Sequence, residues 1–183
     1  IERLRRDYDL DLITTRPSVA FSVTTTDGET EQIRTPNRFP HYGDIEKVEE
    51  PYVKATIRTP NEYINNIMTL TYDHEGEITA TTSGDNAQLT VTAELPLREL
   101  MRGFFSDLKR GSSGFASLSY EVVDYREADI VKLEVLVAKE EVPALAEIVS
   151  REKLQERARA VVEKLKDLLP KQIVSVRLQA RAE

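Results

Sequence analysis

Residues 97–108, which read LRELMRGFFSDL, have the clearest helical period in the sequence. Apolar side chains recur there at intervals of three and four residues, the spacing of one face of an α-helix. The sequence Gly-Ser-Ser-Gly at 111–114 follows and predicts the end of the helix. We therefore expect one broad apolar stripe that packs on a sheet, made of Leu97, Leu100, Met101, Phe104, Phe105 and Leu108.

The segments on either side of this helix predict the rest of one domain. A second helix is predicted after Thr59-Pro60-Asn61-Glu62, where Thr59 can be the N-cap and Glu62 can complete a capping box, and Gly76 ends it. Alternating apolar residues predict strands at 52–59, 77–83, 88–95 and 115–123. The order strand, helix, strand, strand, helix, strand predicts an α+β, ferredoxin-like split βαβ sandwich. Two right-handed crossovers would place both helices on one face of a four-stranded antiparallel sheet.

Further elements are predicted before and after this domain. The first residues read as the last turns of a helix with no cap before it, so we expect the chain to be a piece of a longer protein. A strand follows, then a hairpin at Asp27-Gly28 and an irregular crossing at 36–42. The last part should hold a strand at 130–137, a short helix at 142–149, a long helix at 152–169 and a strand at 173–180.

The composition limits the classes of function. The 183 residues carry a formal net charge of −7, which argues against indiscriminate nucleic-acid binding. From Arg151 onward, however, nine Lys and Arg face five Asp and Glu, so the end of the chain is basic. The absence of Cys excludes a disulfide framework and a zinc-thiolate site.

The common catalytic motifs are absent from the sequence. It contains no GxxxxGK[ST] loop, GxSxG elbow or HExxH pair, so we predict no catalytic residue and no cofactor site in this chain. His74 with Asp73 and Glu75 could bind a metal, but such a trio is more often a polar helix terminus, and we predict no metal site.

The segment after the second helix is a candidate anion site. Lys109 and Arg110 precede small residues, including Ser112 and Ser113, whose backbone N–H groups could approach a phosphate of RNA. The same residues would also form an ordinary glycine C-cap, with the cations placed at the negative end of the helix dipole. The residues alone favour the cap.

Cations near the long C-terminal helix form a second candidate surface. Arg157 and Lys164 are two turns apart and face a similar direction, and Arg151 precedes the helix. Acidic residues lie between them, so a salt-bridged exposed helix and an RNA contact are equally compatible with the pattern. The few aromatic residues show no stacking cluster in the sequence.

Five blocks, in order along the chain, resemble the LepA (elongation factor 4) family of translational GTPases. YDLDLITTRPSV at 8–19 looks like the end of that family's domain III. EEPYVKATIRTPNEY at 49–63 and LKRGSSGFASLSYEVVDYR at 108–126 are similar to the domain shared with elongation factor G. DIVKLEVLV at 129–137 and KLKDLLPKQIVSVRLQA at 164–180 resemble the C-terminal domain specific to LepA.

The resemblance implies three regions. Residues 1–48 would be the end of domain III with a linker, 49–127 the ferredoxin-like domain that resembles domain V of elongation factor G, and 128–183 the start of the LepA-specific domain. It also implies a monomer that binds tRNA and that binds the ribosome through large-subunit rRNA and proteins. Such a protein would act in back-translocation, translation fidelity or ribosome assembly. Such proteins are cytoplasmic and can associate peripherally with the membrane. GTP and Mg²⁺ would belong to an N-terminal domain outside this sequence.

The sequence departs from the family pattern at two places. Tyr72-Asp73-His74-Glu75 stands where basic residues are usual, and Ser150 replaces a common His. The family's basic tail is also absent after Glu183. These changes lower the RNA affinity that we expect of this chain.

Two alternatives remain open from the residues. A free-standing ferredoxin-like enzyme such as an acylphosphatase would need Arg58 and an Asn to converge on a phosphate. A regulatory or oligomerising module would pair sheet edges or bind a small ligand.

Overall fold

Two antiparallel sheets form the framework of the computed structural model, which describes residues 18–84, 87–168 and 178–182. The larger sheet contains β1 (Phe21–Thr25), β2 (Thr30–Ile33), β3 (Ile45–Pro60), β4 (Glu77–Ser83), β5 (Gln88–Pro96) and β6 (Ser117–Glu127). The smaller sheet contains β7 (Ile130–Val137), β8 (Glu140–Glu141), β9 (Glu147–Ser150) and β10 (Leu178–Ala182).

Three helices pack on these sheets. Helix α1 is Ile64–Asp73, and α3 is Leu154–Leu168. Helix α2 consists of three contiguous segments, Leu97–Glu99, Leu100–Phe104 and Phe105–Gly111, of which the middle one is π-helical. Single 3₁₀ turns lie at Pro36–Arg38, Tyr42–Asp44, Asn61–Tyr63 and Pro143–Leu145. No helix in the part of the chain that the structure describes is long and apolar enough to cross a membrane.

The ferredoxin-like arrangement is confirmed. Strand β3 pairs with β5 on one side and with β6 on the other, and β4 pairs with β5, so the four strands lie in the order β4-β5-β3-β6. Ile67 of α1 and Phe104 of α2 belong to one buried cluster with Ile57 of β3 and Leu95 of β5. Both helices therefore cover the same face of the sheet. On the other face, alternate residues of β3 such as Lys54 and Arg58 are exposed.

The first hairpin is part of the same sheet. Strands β1 and β2 pair around a turn in which Gly28 has a φ of 83°, a conformation that favours glycine. Strand β1 also pairs with the first residues of β3, which begins at Ile45 and continues to Pro60 without a break. The predicted start of the strand near Tyr52 was therefore too late, because the pairing with β1 extends it. The division into domains at residues 49 and 128 stays a prediction.

Several predicted elements differ in the structure. Thr59 is a strand residue and not a helix cap, and its hydroxyl donates to the Pro60 carbonyl. Residues 142–149 form a 3₁₀ turn and strand β9, where we predicted a short helix, because β9 pairs with β7. Phe105 is 46% exposed, although the predicted stripe included it. The predicted elements within residues 1–17 and most of the strand at 173–180 lie outside the described residues.

The last part of the chain packs α3 on the smaller sheet. Leu154, Ala158 and Val161 of α3 contact the buried residues Val131, Leu133 and Val149 of β7 and β9. A separate cluster joins this sheet to the larger one, because Ile130 and Ile148 pack with Phe21 and neighbouring residues of the first hairpin. The two sheets therefore share a core.

Candidate nucleic-acid interface

The last residues of α2 and the turn that leads to β6, residues 109–114 and together called the α2–β6 turn, are held by their own hydrogen bonds. The N–H groups of residues 112–115 all donate to carbonyls of residues 108–112. The buried Ser112 hydroxyl donates to the Leu108 carbonyl over 2.7 Å and accepts from the Ala116 N–H over 3.1 Å. These bonds form the C-cap of the helix. Neither the backbone N–H groups nor Ser112 are therefore available to an anion.

The cations of this turn point into solvent. Arg110, whose side chain is 81% exposed, forms a surface ion pair of 2.6 Å with Asp107, three residues earlier in the helix. The Lys109 ammonium lies 4.9 Å from the centroid of the Phe105 ring. Ser113 is exposed, with a φ of 49°. An exposed ion pair of this kind is weak, so Arg110 can be redirected to a phosphate at little cost.

A pair of stacked aromatic rings includes Phe115, the residue that follows this turn. The ring centroids of Tyr63 and Phe115 are 6.1 Å apart, and the ring planes are inclined by 16°. Tyr63 packs on the core, whereas Phe115 is 66% exposed. Asn66 donates to the Gly111 carbonyl over 3.1 Å and so joins α1 to the turn. This pair could not be predicted, because its two members are far apart in the chain.

The three candidate cations of the C-terminal part, Arg151, Arg157 and Lys164, have different surroundings. Arg151 precedes α3, donates to Asp129 over 3.0 Å and lies 4.6 Å from the Tyr42 ring centroid. Arg157 donates to Glu147 over 2.8 and 3.0 Å, and this hydrogen bonding raises the pKa of the guanidinium. Lys164 is exposed. Arg151 and Arg157 therefore form salt bridges with residues outside α3, and not with the acidic residues that lie between the cations in the sequence.

A groove of about 760 Å³ lies between the first hairpin, α2 and α3. Arg157 and Lys164 both line it, so they do face the same direction. Arg34 and Arg102 add further positive charge, and apolar residues such as Phe21 and Val161 form part of its wall. Arg151 is not among its lining residues.

A buried ionic cluster around Arg98 was not predicted. Its guanidinium donates to Glu50 over 2.8 Å and to Glu99 over 2.6 Å, and it also contacts Glu75. The side chains of Arg98, Glu50 and Glu99 are at most 5% exposed. Glu99 in turn accepts a hydrogen bond of 2.5 Å from Arg102. A sequence pattern places charged residues on the surface, so it could not indicate this cluster.

The carboxyl groups of this Arg98 cluster have shifted pKa values. Burial raises the pKa of Glu50 above its usual range, and Arg98 only partly opposes this. Burial acts in the same direction on Glu75 and Glu99. For Glu75, hydrogen bonds from Arg98 and Ser150 outweigh burial and lower the pKa. For Glu99, the hydrogen bond with His74 and the charge of Arg102 have the same result.

The His74 side chain contacts residues other than its sequence neighbours Asp73 and Glu75. Its ring nitrogens lie 3.2 Å from Glu99 and 3.3 Å from Asp107, and its ring packs edge-on against Phe104. The neighbouring Glu75 instead contacts Arg98 and Ser150. The described residues hold no group of three or more His, Cys, Asp and Glu side chains suited to a metal ion.

Two models of known families match consecutive parts of the chain. The family model described as the elongation factor G C-terminus matches residues 47–136, which contain the ferredoxin-like arrangement. The model described as the GTP-binding protein LepA C-terminus matches residues 137–183. Together they define the class as the C-terminal region of an elongation-factor-type protein.

Curated relatives named Elongation factor 4 match 98% of the chain. The relative from Acetivibrio thermocellus is 47% identical, that from Ruminiclostridium cellulolyticum 44%, and that from Listeria monocytogenes 41%. The chain belongs to the elongation factor 4, or LepA, family. It spans about 30% of the length of these relatives.

Proposed function

We propose that this chain is a ribosome-binding region of a translational GTPase and that the α2–β6 turn contacts large-subunit rRNA. The observation that carries the proposal is the pair of exposed cations, Lys109 and Arg110, on a turn that its own hydrogen bonds hold rigid. A rigid support lowers the entropy that is lost when flexible side chains meet a phosphate. The family assignment supports a partner in translation.

The proposal extends to the whole parent protein. In it, GTP hydrolysis with Mg²⁺ takes place in another domain, since this sequence has no phosphate-binding loop. The exposed Lys164 beside the groove is a candidate contact to tRNA, whereas Arg151 and Arg157 would have to leave Asp129 and Glu147 to reach it. We place the protein in the cytoplasm as a monomer that acts in back-translocation, fidelity or ribosome assembly. Peripheral membrane association is a further part of the proposal.

The acylphosphatase alternative is not favoured. Arg58 lies on the open face of the sheet, because it alternates with the buried Ile57 and Thr59. Asn66 is in α1 on the other face, and its side-chain amide is bonded to the Gly111 carbonyl. These two side chains therefore do not converge on one phosphate.

The test is co-sedimentation of the 183-residue chain with large ribosomal subunits over a range of salt concentrations. We expect Lys109→Ala with Arg110→Ala to weaken binding and to reduce the slope of log affinity against log salt by about 2, because two phosphate contacts are lost. The matched control is Lys54→Ala with Arg58→Ala, which removes the same charge from the open face. Equal effects of the two double variants on binding would contradict the proposal that the turn is part of the interface.

A further inference from the structure

We propose that Phe115, supported by Tyr63, is a stacking platform for an unpaired RNA base next to Lys109 and Arg110. This inference rests on the proposed contact between the turn and rRNA, and it names the part of the RNA that the turn would recognise. A phosphate contact alone carries no information about the base, whereas a stacked base requires a segment that is not paired.

The geometry of the pair leaves most of Phe115 exposed. Tyr63 stacks on the Phe115 ring with a centroid distance of 6.1 Å and nearly parallel planes, and 66% of Phe115 is nevertheless exposed. A base would extend the existing stack by one ring and would cover the exposed surface.

The platform is also held in place before any ligand binds. Ala116, next to Phe115, is buried, and the Phe115 N–H donates to the Ser112 carbonyl over 2.9 Å. Tyr63 ends the 3₁₀ turn that enters α1, and the bond from Asn66 to Gly111 joins that helix to the turn. Both rings therefore stand on elements that are bonded to each other. A preformed platform avoids the entropy cost of ordering an aromatic side chain on binding.

The charges beside the platform favour nucleic acid as the ligand. Lys109 and Arg110 are exposed at the start of the turn whose end carries Phe115, and the Gly114 N–H closes the turn on the Lys109 carbonyl over 2.8 Å. Proteins that bind single-stranded RNA usually combine cations, which contact the phosphate backbone, with an aromatic side chain, on which a base stacks. Stacking alone is tolerant of base identity, so we expect a preference for unpaired structure and not for one base.

The first measurement is the affinity of the 183-residue chain for large ribosomal subunits. We expect Phe115→Ala and Phe115→Leu to weaken binding roughly five- to hundredfold, the range for loss of one stacked base, and Phe115→Trp to retain it. Because no phosphate contact is lost, the salt slope should stay at the wild-type value. Tyr72→Ala, which removes another largely exposed aromatic ring, is the control and should bind as the wild type does.

The second measurement uses the absence of Trp from the sequence. Phe115→Trp then carries the only indole, and we expect its fluorescence to be quenched by hexa-adenylate but not by an abasic hexamer of equal charge. Wild-type affinity for the ribosome in both Phe115→Ala and Phe115→Leu would overturn the platform. If Lys109→Ala with Arg110→Ala still weakens binding in that case, the proposed function stands without it. If neither set of variants weakens binding, the proposed interface fails as well.

Discussion

The Ser150 hydroxyl donates a hydrogen bond of 2.7 Å to a carboxylate oxygen of Glu75. Glu75 follows α1 with a φ of 56°, whereas Ser150 ends β9, so the bond joins regions that match two different family models. These are also two of the positions at which the sequence departs from the pattern that it resembles. The Arg102 guanidinium donates to the Ile148 carbonyl over 2.7 Å at the same junction. We infer that the junction is a specific polar contact and not a loose linker.

Ser150→Ala should lower the free energy of unfolding by roughly 1–3 kcal/mol, because Glu75 loses a donor in a largely buried setting. Urea denaturation of the whole chain measures this. Ser119→Ala, on the exposed side of β6, is the control and should change stability by no more than about 0.5 kcal/mol. Equal stability of the two variants would show that the bond contributes nothing.

Arg98→Met should be the most damaging single change in the ionic cluster. It leaves Glu50, Glu75 and Glu99 without their common cation, and breaking a buried pair in this way typically costs about 3–5 kcal/mol. Adding Glu50→Gln should recover part of the loss, since one buried charge is then removed. A double variant that is less stable than Arg98→Met in urea denaturation would contradict this account.

Stability should fall as the pH decreases below about 4.5. The pKa values of Glu75 and Glu99 are lower in the folded state, so their contribution is complete above the unfolded value and is lost as the pH falls through the folded values. The effect of Glu50 on the pH dependence of stability has the opposite sign, because its pKa is raised in the folded state. Glu75→Gln should therefore show a shallower acid decline than the wild type in thermal unfolding at a series of pH values. An unchanged decline would exclude Glu75 as its source.

Two adjacent phenylalanines should respond very differently to truncation. Phe104 is completely buried between α2 and the sheet, so Phe104→Ala should cost about 3–5 kcal/mol through the cavity that it leaves. Phe105 is partly exposed, and Phe105→Ala should cost well under half as much. Both values come from chemical denaturation. A loss below about 1 kcal/mol for Phe104→Ala would mean that the buried face has been assigned incorrectly.

Several strands and the packing side of α1 and α2 could be predicted because short-range patterns determine them. Alternation defined β4, β5 and β7 to within one residue, and the Asp27-Gly28 turn defined the first hairpin. In the predicted apolar stripe of α2, only Phe105 was assigned incorrectly to the buried face. The π-helical segment Leu100–Phe104 contains Gly103 in a non-helical conformation, and this changes the direction of the residues that follow.

The candidate interface was only partly predictable. Lys109 and Arg110 are adjacent in the sequence, so both could be predicted as candidate contacts. The glycine-rich segment that follows them predicted the end of the helix. The Tyr63–Phe115 pair and the Arg98 cluster depend on contacts between residues that are distant in the chain. At residues 142–149, pairing of β9 with β7 outweighed the local pattern that predicted a short helix.

Directed cleavage of rRNA tests the central claim most directly, because the sequence contains no Cys. A single Cys introduced by Ser113→Cys, in the exposed part of the α2–β6 turn, can carry a tethered iron chelate that generates hydroxyl radicals. We expect strong cleavage of large-subunit rRNA at a few neighbouring positions, and much weaker cleavage from Lys54→Cys on the open face of the sheet. Equal cleavage from both positions, or none above that of free chelate, would contradict the account.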